Sequence, residues 1–286
     1  MSRRFIIAGC GYTGRRLADR LSPQNHVLCL TRSSRRRDQL AQHGLNTIAT
    51  DLGAPADIDT SGAVVVYLAP PPPDGDRDTT LEGFLRSIDV PARFVYASTS
   101  GVYGDCGGAI VNESQPVAPA TARAARRVAA EQALLEWGLQ AGVETVVLRV
   151  AGIYGPGRLP LERIRRRDPV LRAEDAGPGN RIHVSDLAAA CERAALIEAP
   201  PTPVNICDGN HMSSTEFTNL VATISGAPKP PAIDRDQAQK IFSPMRWSFL
   251  AESRRLDNTR MREHLGVELR YADPADGIRQ ALQFDY

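Results

Sequence analysis

Short apolar runs alternate along the chain with longer stretches in which apolar residues recur at helical spacing. Residues 5–8, 26–30, 45–49, 63–68, 93–97 and 145–150 read as strands. Between them, residues 13–21, 36–42, 80–88 and 123–140 read as helices. Strand runs that are apolar throughout predict a parallel sheet buried on both faces, because only a sheet covered by helices has no polar side. Repeated strand–helix units predict an α/β fold, a doubly wound sheet with right-handed crossovers. After Val150 the rhythm breaks. Residues 155–180 are rich in Gly, Pro and Arg and read as loop, followed by a helix over 185–197 and a short strand over 203–207. Ser213 and Glu216 have the spacing of a capping box that opens a helix to about Ser225. Pro228–Pro231 links to a C-terminal segment, and Pro70–Pro73, directly after a strand, reads as a stiff loop.

Composition narrows the class. The 286 residues are 42% hydrophobic and 23% charged with a net charge of +1, which suits a packed globular chain and lacks the basic excess of a nucleic-acid binder. Lysine occurs only at Lys229 and Lys240, so nearly all the basic residues are arginine. The five cysteines are scattered with no C-x-x-C pair, which predicts free thiols in the cytoplasm and no metal site. The apolar run after Met1 is too short for a signal segment, and no run approaches the roughly 18 apolar residues of a membrane span.

One motif carries chemistry. Gly9-Cys-Gly11-Tyr-Thr-Gly14 matches G-x-G-x-x-G, follows an apolar strand and opens a helix, which is the context a dinucleotide fingerprint requires. Gly9 and Gly11 let the backbone turn and approach a pyrophosphate, Gly14 permits close helix–strand packing, and the helix start at Tyr12 and Thr13 offers amide donors. An NAD site places an acid about 20 residues further on, at the end of the second strand. Here that strand ends Thr31-Arg32, followed by Ser33, Ser34, Arg35, Arg36 and Arg37. Positive charge is unfavourable at a helix start unless an anion is near. Arg32, Ser33 and Arg36 therefore predict a 2′-phosphate, and NADP over NAD.

The chain resembles the extended short-chain dehydrogenase/reductases, the NAD(P)-dependent epimerase/dehydratase group. Besides the Gly9–Gly14 loop, the resemblance rests on Tyr96-Ala-Ser-Thr-Ser-Gly-Val-Tyr-Gly104, Leu148-Arg-Val-Ala-Gly-Ile-Tyr-Gly-Pro-Gly-Arg158, Asn180-Arg-Ile-His-Val-Ser-Asp-Leu-Ala188 and Val204-Asn-Ile-Cys-Asp-Gly209. It implies a Rossmann-type domain over 1–154, completed by elements returning at about 181–207, and a small C-terminal substrate lobe from 155–180 and 208–286. It also places Asp51 and Leu52 near the adenine, and Leu68 and Ala69 along the cofactor. The family's Ser/Thr falls on Thr99, with Ser98 beside it against the cofactor.

Two departures mark an atypical branch. Ala8 stands where the family's glycine run usually begins, and no Tyr-x-x-x-Lys occurs anywhere. Arg123 stands at the tyrosine position and Arg127 at the lysine position. Guanidinium does not release a proton near neutral pH, so Arg123 cannot act as the phenol does, whereas Arg127 can hold ribose hydroxyls. Helical spacing puts Arg123, Arg127 and Glu131 on one face, either as an anion-binding pair beside the nicotinamide or as a solvated stripe with an Arg127–Glu131 ion pair. Residues 158–181 hold seven arginines against four acids, which hints at an anionic or sugar-like substrate met by Arg123, Tyr154 and Arg158. Small residues along 123–140 predict a homodimer. Two functions remain open: an NADP(H)-dependent oxidoreductase or epimerase/dehydratase with a non-standard site, and a non-catalytic NADP(H)-binding sensor.

Overall fold

The computed structural model describes residues 2–55 and 58–284. The outer ends of the two expected units, at Met1 and at Asp285 and Tyr286, lie outside the described residues. Seven strands form the central sheet: β1 (Arg4–Ala8), β2 (His26–Thr31), β3 (Asn46–Ala49), β4 (Val64–Tyr67), β5 (Arg93–Thr99), β6 (Glu144–Val150) and β7 (Val204–Ile206). Their spatial order is β7-β6-β5-β4-β1-β2-β3, and every neighbouring pair is parallel. Phe5 stands opposite both Val27 and Val64, and Val66 opposite Val95. This is a Rossmann-type doubly wound sheet.

Seven helices matter here: α1 (Tyr12–Leu21), α2 (Ser34–Gln42), α3 (Thr79–Ser87), α4 (Ala122–Ala141), α5 (Val184–Leu196), α6 (Ser214–Ile224) and α7 (Pro274–Leu282). Alternate strand residues serve opposite faces. Ile7, Val66 and Val95 pack with Leu17 and Leu21 of α1 and Leu187 and Cys191 of α5. Ile6, Val65, Tyr67 and Phe94 pack with Leu81 and Phe84 of α3 and Leu134 of α4. Burying both faces explains why β4 is apolar and buried at every position; each such side chain contributes about 2 kcal/mol. β3 departs from that pattern because it is the edge strand, and its Ile48 is 42% exposed.

Helix ends follow from local chemistry. Thr121 caps α4 by accepting from the Ala124 amide at 3.2 Å, and Gly142, at φ +67°, ends it with an amide bonded to the Gly138 carbonyl. At α6, Ser213 Oγ accepts from the Glu216 amide at 3.2 Å while the Glu216 carboxylate accepts from the Ser213 amide at 2.7 Å, the reciprocal box that the spacing predicts.

Residues 155–180 are not all loop. They hold a short helix, Leu161–Arg165, and a strand, Val170–Leu171, that pairs with Ala232–Ile233. Five residues are too few to form a helix alone. Ile164, 2% exposed, joins Tyr154, Phe217, Val221 and Ile278 in a separate apolar core, and that packing stabilises the turn. Among the described residues no helix is long and apolar enough to cross a membrane.

Candidate functional site

The chain runs outward from β1 to β3, then returns to β4 on the other side of β1. That reversal leaves a crevice beyond the strand C-termini, where ligands of such sheets bind. A cleft of about 900 Å³ opens there. It collects Gly9, Gly11, Tyr12, Thr13 and Gly14 from the loop after β1, and Arg32 from the end of β2. Asp51 and Leu52 follow β3, and Leu68 and Ala69 follow β4. Ser98 of β5, Arg127 of α4 and Arg158 complete the predicted residues that line it.

The glycine loop is fixed by its backbone. The Gly9 and Cys10 amides both donate to the Leu30 carbonyl, at 3.1 and 2.8 Å. Gly9 has φ +85°, and a Cβ there would stand 2.6 Å from the Ala69 nitrogen, so only glycine fits. A Cβ on Gly14 would meet Ile7 Cγ2 at 3.1 Å, which shows how closely α1 lies on β1. Gly11 is different: it lines the cleft, and a Cβ there would meet nothing nearer than 3.9 Å. α1 has no side-chain cap and no acid in its first turn, so its leading amides and positive dipole end suit an anion. These features fit a pyrophosphate. Cys10 is not a nucleophile: a hydrogen bond with Cys29, together with burial, pushes its thiol well above the usual range.

Five predicted residues do not line the cleft. Ser33 caps α2, its Oγ accepting from the Arg36 amide at 3.3 Å. Arg36 donates to the Gly11 carbonyl at 3.3 Å, so it braces the loop from behind and lines a smaller neighbouring pocket with Arg15 and His43. Thr99 accepts from the Gly101 amide at 3.2 Å and caps a short turn. Tyr154 is 3% exposed, between the rings of His183 and Phe217, with its hydroxyl against α7 at Gly277. Burial raises its pKa far above the ordinary phenol value. Arg123 lays its guanidinium on the Phe249 ring, 4.2 Å from the centroid, away from the cleft.

The face of α4 therefore divides. Arg127 donates to the Tyr96 hydroxyl at 2.7 Å and the Ala97 carbonyl at 3.1 Å, which fixes its guanidinium in the cleft wall. Glu131 does not pair with it. Glu131 is buried, accepts from Ser98 Oγ at 2.5 Å and holds Arg149 at 2.8 Å, and Arg149 donates to the Tyr103 hydroxyl at 3.0 Å. The expected Arg127–Glu131 stripe fails because helical spacing cannot reveal which neighbour sits deeper. Arg149, on the apolar-looking strand β6, competes for the carboxylate in a low-dielectric site. Tyr96 is the phenol beside Arg127, but burial pushes it up to about 12, out of reach of acid–base work near neutral pH.

Reading the sequence missed several lining residues. Pro70–Pro73 form part of the cleft wall rather than a mere connection, and Thr80 and Leu187 also reach it. The proline run was the available signal, since it leaves β4 at the switch point. Tyr96 as the anchor of Arg127 had no signal, because it looks like any other buried strand residue. Among the described residues no group of three or more metal-ligating side chains gathers.

Comparison with known proteins agrees with this geometry. The chain is 27% identical over 201 residues to a dTDP-glucose 4,6-dehydratase of Streptomyces niveus, covering 67% of this chain and 56% of that relative. It is 25% identical to a UDP-glucose 4-epimerase of Mycolicibacterium smegmatis, covering 99% of this chain and 98% of the relative. A conserved protein of unknown function from Silicibacter pomeroyi superposes with a TM-score of 0.83 at 28% identity, covering 99% of both chains. The UDP-glucuronic acid 4-epimerase of Bacillus cereus, solved with NAD, shares the fold with a TM-score of 0.77 at 16% identity, covering 98% of both chains. Residues 78–207 match the family described as NAD dependent epimerase/dehydratase. Over that stretch, and in its sheet order and glycine cradle, the chain is similar to the NAD dependent epimerase/dehydratase family.

Proposed function

We propose that this protein is an NADP(H)-binding oxidoreductase or epimerase/dehydratase with a non-standard active site, acting on a small anionic or sugar-like substrate. The observation that carries the reading is the single cleft that unites the Gly9–Gly14 loop, Arg32 and Arg127 at the switch point. Relatives named for sugar-nucleotide chemistry, and a structural neighbour solved with NAD, support the class. The glycine loop and α1 would hold the pyrophosphate, and Asp51 and Leu52 the adenine end. Arg127 would donate to the nicotinamide ribose. A bound nicotinamide would supply hydride transfer.

NADP is preferred over NAD because Arg32 lines the cleft and the first turn of α2 carries no acid. Ser33, spent as a cap, keeps only its hydroxyl proton for a phosphate, and Arg36 would act through its charge. Around the reacting centre Ser98 lines the cleft with its hydroxyl proton donated to Glu131. Thr99 stands one residue further along β5. The elements after residue 155 would form the substrate lobe, with Tyr154 as part of its core rather than a ligand. Of the small residues of α4 expected at a homodimer face, Ala124 and Ala130 are buried in the protein's own core, so the exposed Ala125 with the half-buried Ala129 and Ala133 would serve it.

One observation favours the second reading, a sensor that binds NADP(H) without turnover: Arg123, at the family's tyrosine position, stacks on Phe249 instead of facing the cleft. Calorimetry with NADPH and NADH, followed by incubation with UDP- and dTDP-linked sugars and product analysis by NMR, separates the readings. Tight NADPH binding with epimerised, dehydrated or reduced product supports the enzyme. Binding without product on any sugar nucleotide supports the sensor, and no binding of either cofactor sinks both.

A further inference from the structure

Arg158 follows the turn after β6 and belongs by sequence to the small lobe, where it reads as a substrate residue. Its guanidinium nevertheless lies 4.0 Å from the ring centroid of Tyr12, inside the glycine loop. The Arg16 guanidinium lies on the same ring at 4.3 Å. Both guanidiniums therefore lie against one phenol ring. The small lobe fixes the platform from its own side: a Cβ on Gly155 would stand 2.8 Å from the Tyr12 hydroxyl, so the turn packs directly on that ring.

The charges around this stack do not balance. Among the described residues the nearby Asp19 pairs with Arg15 rather than with Arg16 or Arg158, and Arg16 donates to the Tyr12 carbonyl at 2.9 Å. Burial lowers the Arg16 pKa, and the like charges of Arg15 and Arg158 lower it further. Like charges held together by packing favour an anion between or beside them. Of the two cations on the ring, Arg158 lines the cleft and Arg16 does not. Arg158 is therefore the one placed to meet a ligand, and it does so over the loop whose open Gly11 and uncapped α1 fit a pyrophosphate.

We propose that Arg158 is a cofactor residue rather than a substrate residue: seated on Tyr12, it reaches from the small lobe across the cleft and pairs with the dinucleotide pyrophosphate. This rests on the dinucleotide reading above. It makes the cofactor a bridge between the two parts of the chain, so that binding it stiffens the segment walling the substrate end.

Titration calorimetry on the unsubstituted chain, R158A and Y12L tests this with two probes. ADP-ribose carries the pyrophosphate; adenosine 2′-phosphate keeps the adenine and ribose but lacks it. R158A should weaken ADP-ribose about tenfold, as expected for losing one charge-assisted phosphate contact, and adenosine 2′-phosphate less than about twofold. Y12L should lose a similar factor for ADP-ribose, and the double variant no more than either alone, because platform and cation act as a unit. Arg158 is exposed, so thermal unfolding of R158A should match the unsubstituted chain. Unchanged ADP-ribose affinity in R158A overturns the assignment. So does an equal loss for both probes, which would mean only that the loop has been disturbed. If the unsubstituted chain itself fails to bind ADP-ribose, NADPH and NADH, the dinucleotide reading falls and this assignment with it, a result visible before any variant is made.

Discussion

The two walls of the cleft are built on different principles. The wall from β1, β2 and α1 is made of backbone: glycines at Gly9, Gly11 and Gly14, amides tied to the Leu30 carbonyl, and a helix start with no cap of its own. The opposite wall, from β5, α4 and the small lobe, is made of side chains: Arg127 held by Tyr96, Ser98 held by Glu131, and Arg158 seated on Tyr12. The difference sets how far each wall tolerates substitution. The backbone cradle leaves no room for a side chain at Gly9 and little at Gly14. A side-chain wall can change the groups that face the cleft and still fold, because the buried Glu131–Arg149 pair behind it carries the structure.

Five substitutions, one of them followed across pH, bear on that contrast. The largest effect is expected from E131A, which strands Arg149 at a side-chain exposure of 10% and leaves Ser98 without its acceptor. Removing one partner of a buried ion pair costs about 3–5 kcal/mol, so denaturant unfolding should show a loss of that size. A loss below about 1 kcal/mol would mean that the wall does not depend on this network.

A second test concerns two buried titratable groups, Asp208 and His183. Asp208 is 5% exposed, with one carboxylate oxygen unpartnered, and burial raises its pKa to about 7. Because the folded value lies above the ordinary one of 3.8, its stabilising contribution is present below about pH 4 and is lost as pH rises through 7. His183 has the opposite sign. Burial lowers it to about 4 from 6.5, so its contribution is present above 6.5 and lost as pH falls through 4. Between those limits the two offset each other. D208N should therefore uncover a rise of stability with pH from 4 to 6.5, and gain on the order of 3 kcal/mol over the unsubstituted chain at pH 8. Parallel stability curves for the two proteins would show that Asp208 titrates normally.

On the backbone wall, G9A should cost about 2 kcal/mol from left-handed strain and the contact with Ala69, and abolish NADPH binding in a calorimetric titration. Retained binding would remove the close approach from the account of this loop. R32A is smaller: NADPH should weaken about tenfold while NADH changes less than twofold, since only the former carries the 2′-phosphate. Equal losses would favour NAD. The smallest effect is expected from R123A, which loses only its exposed stack on Phe249, worth at most about 0.5–1 kcal/mol. Its NADPH affinity should be unchanged; a loss of fivefold or more would return Arg123 to the cleft.

The sequence by itself determined the sheet, the glycine cradle and the α6 capping box, because each is written in local periodicity or in backbone conformations that one residue type satisfies. The strands from β1 to β6 lie within a residue or two of where the apolar runs put them. Even the missing acid after β2 is a local fact. Only the tertiary structure decided how the side chains of α4 divide. Arg123 and Arg127 are one helical turn apart and look alike in sequence, yet one meets Phe249 from a distant segment and the other meets Tyr96 from β5. Glu131 chose Arg149 over Arg127 for the same reason. A long charged side chain goes to the partner that the fold brings into a low-dielectric site, and that partner lies far away in sequence, where spacing along one helix carries no record of it.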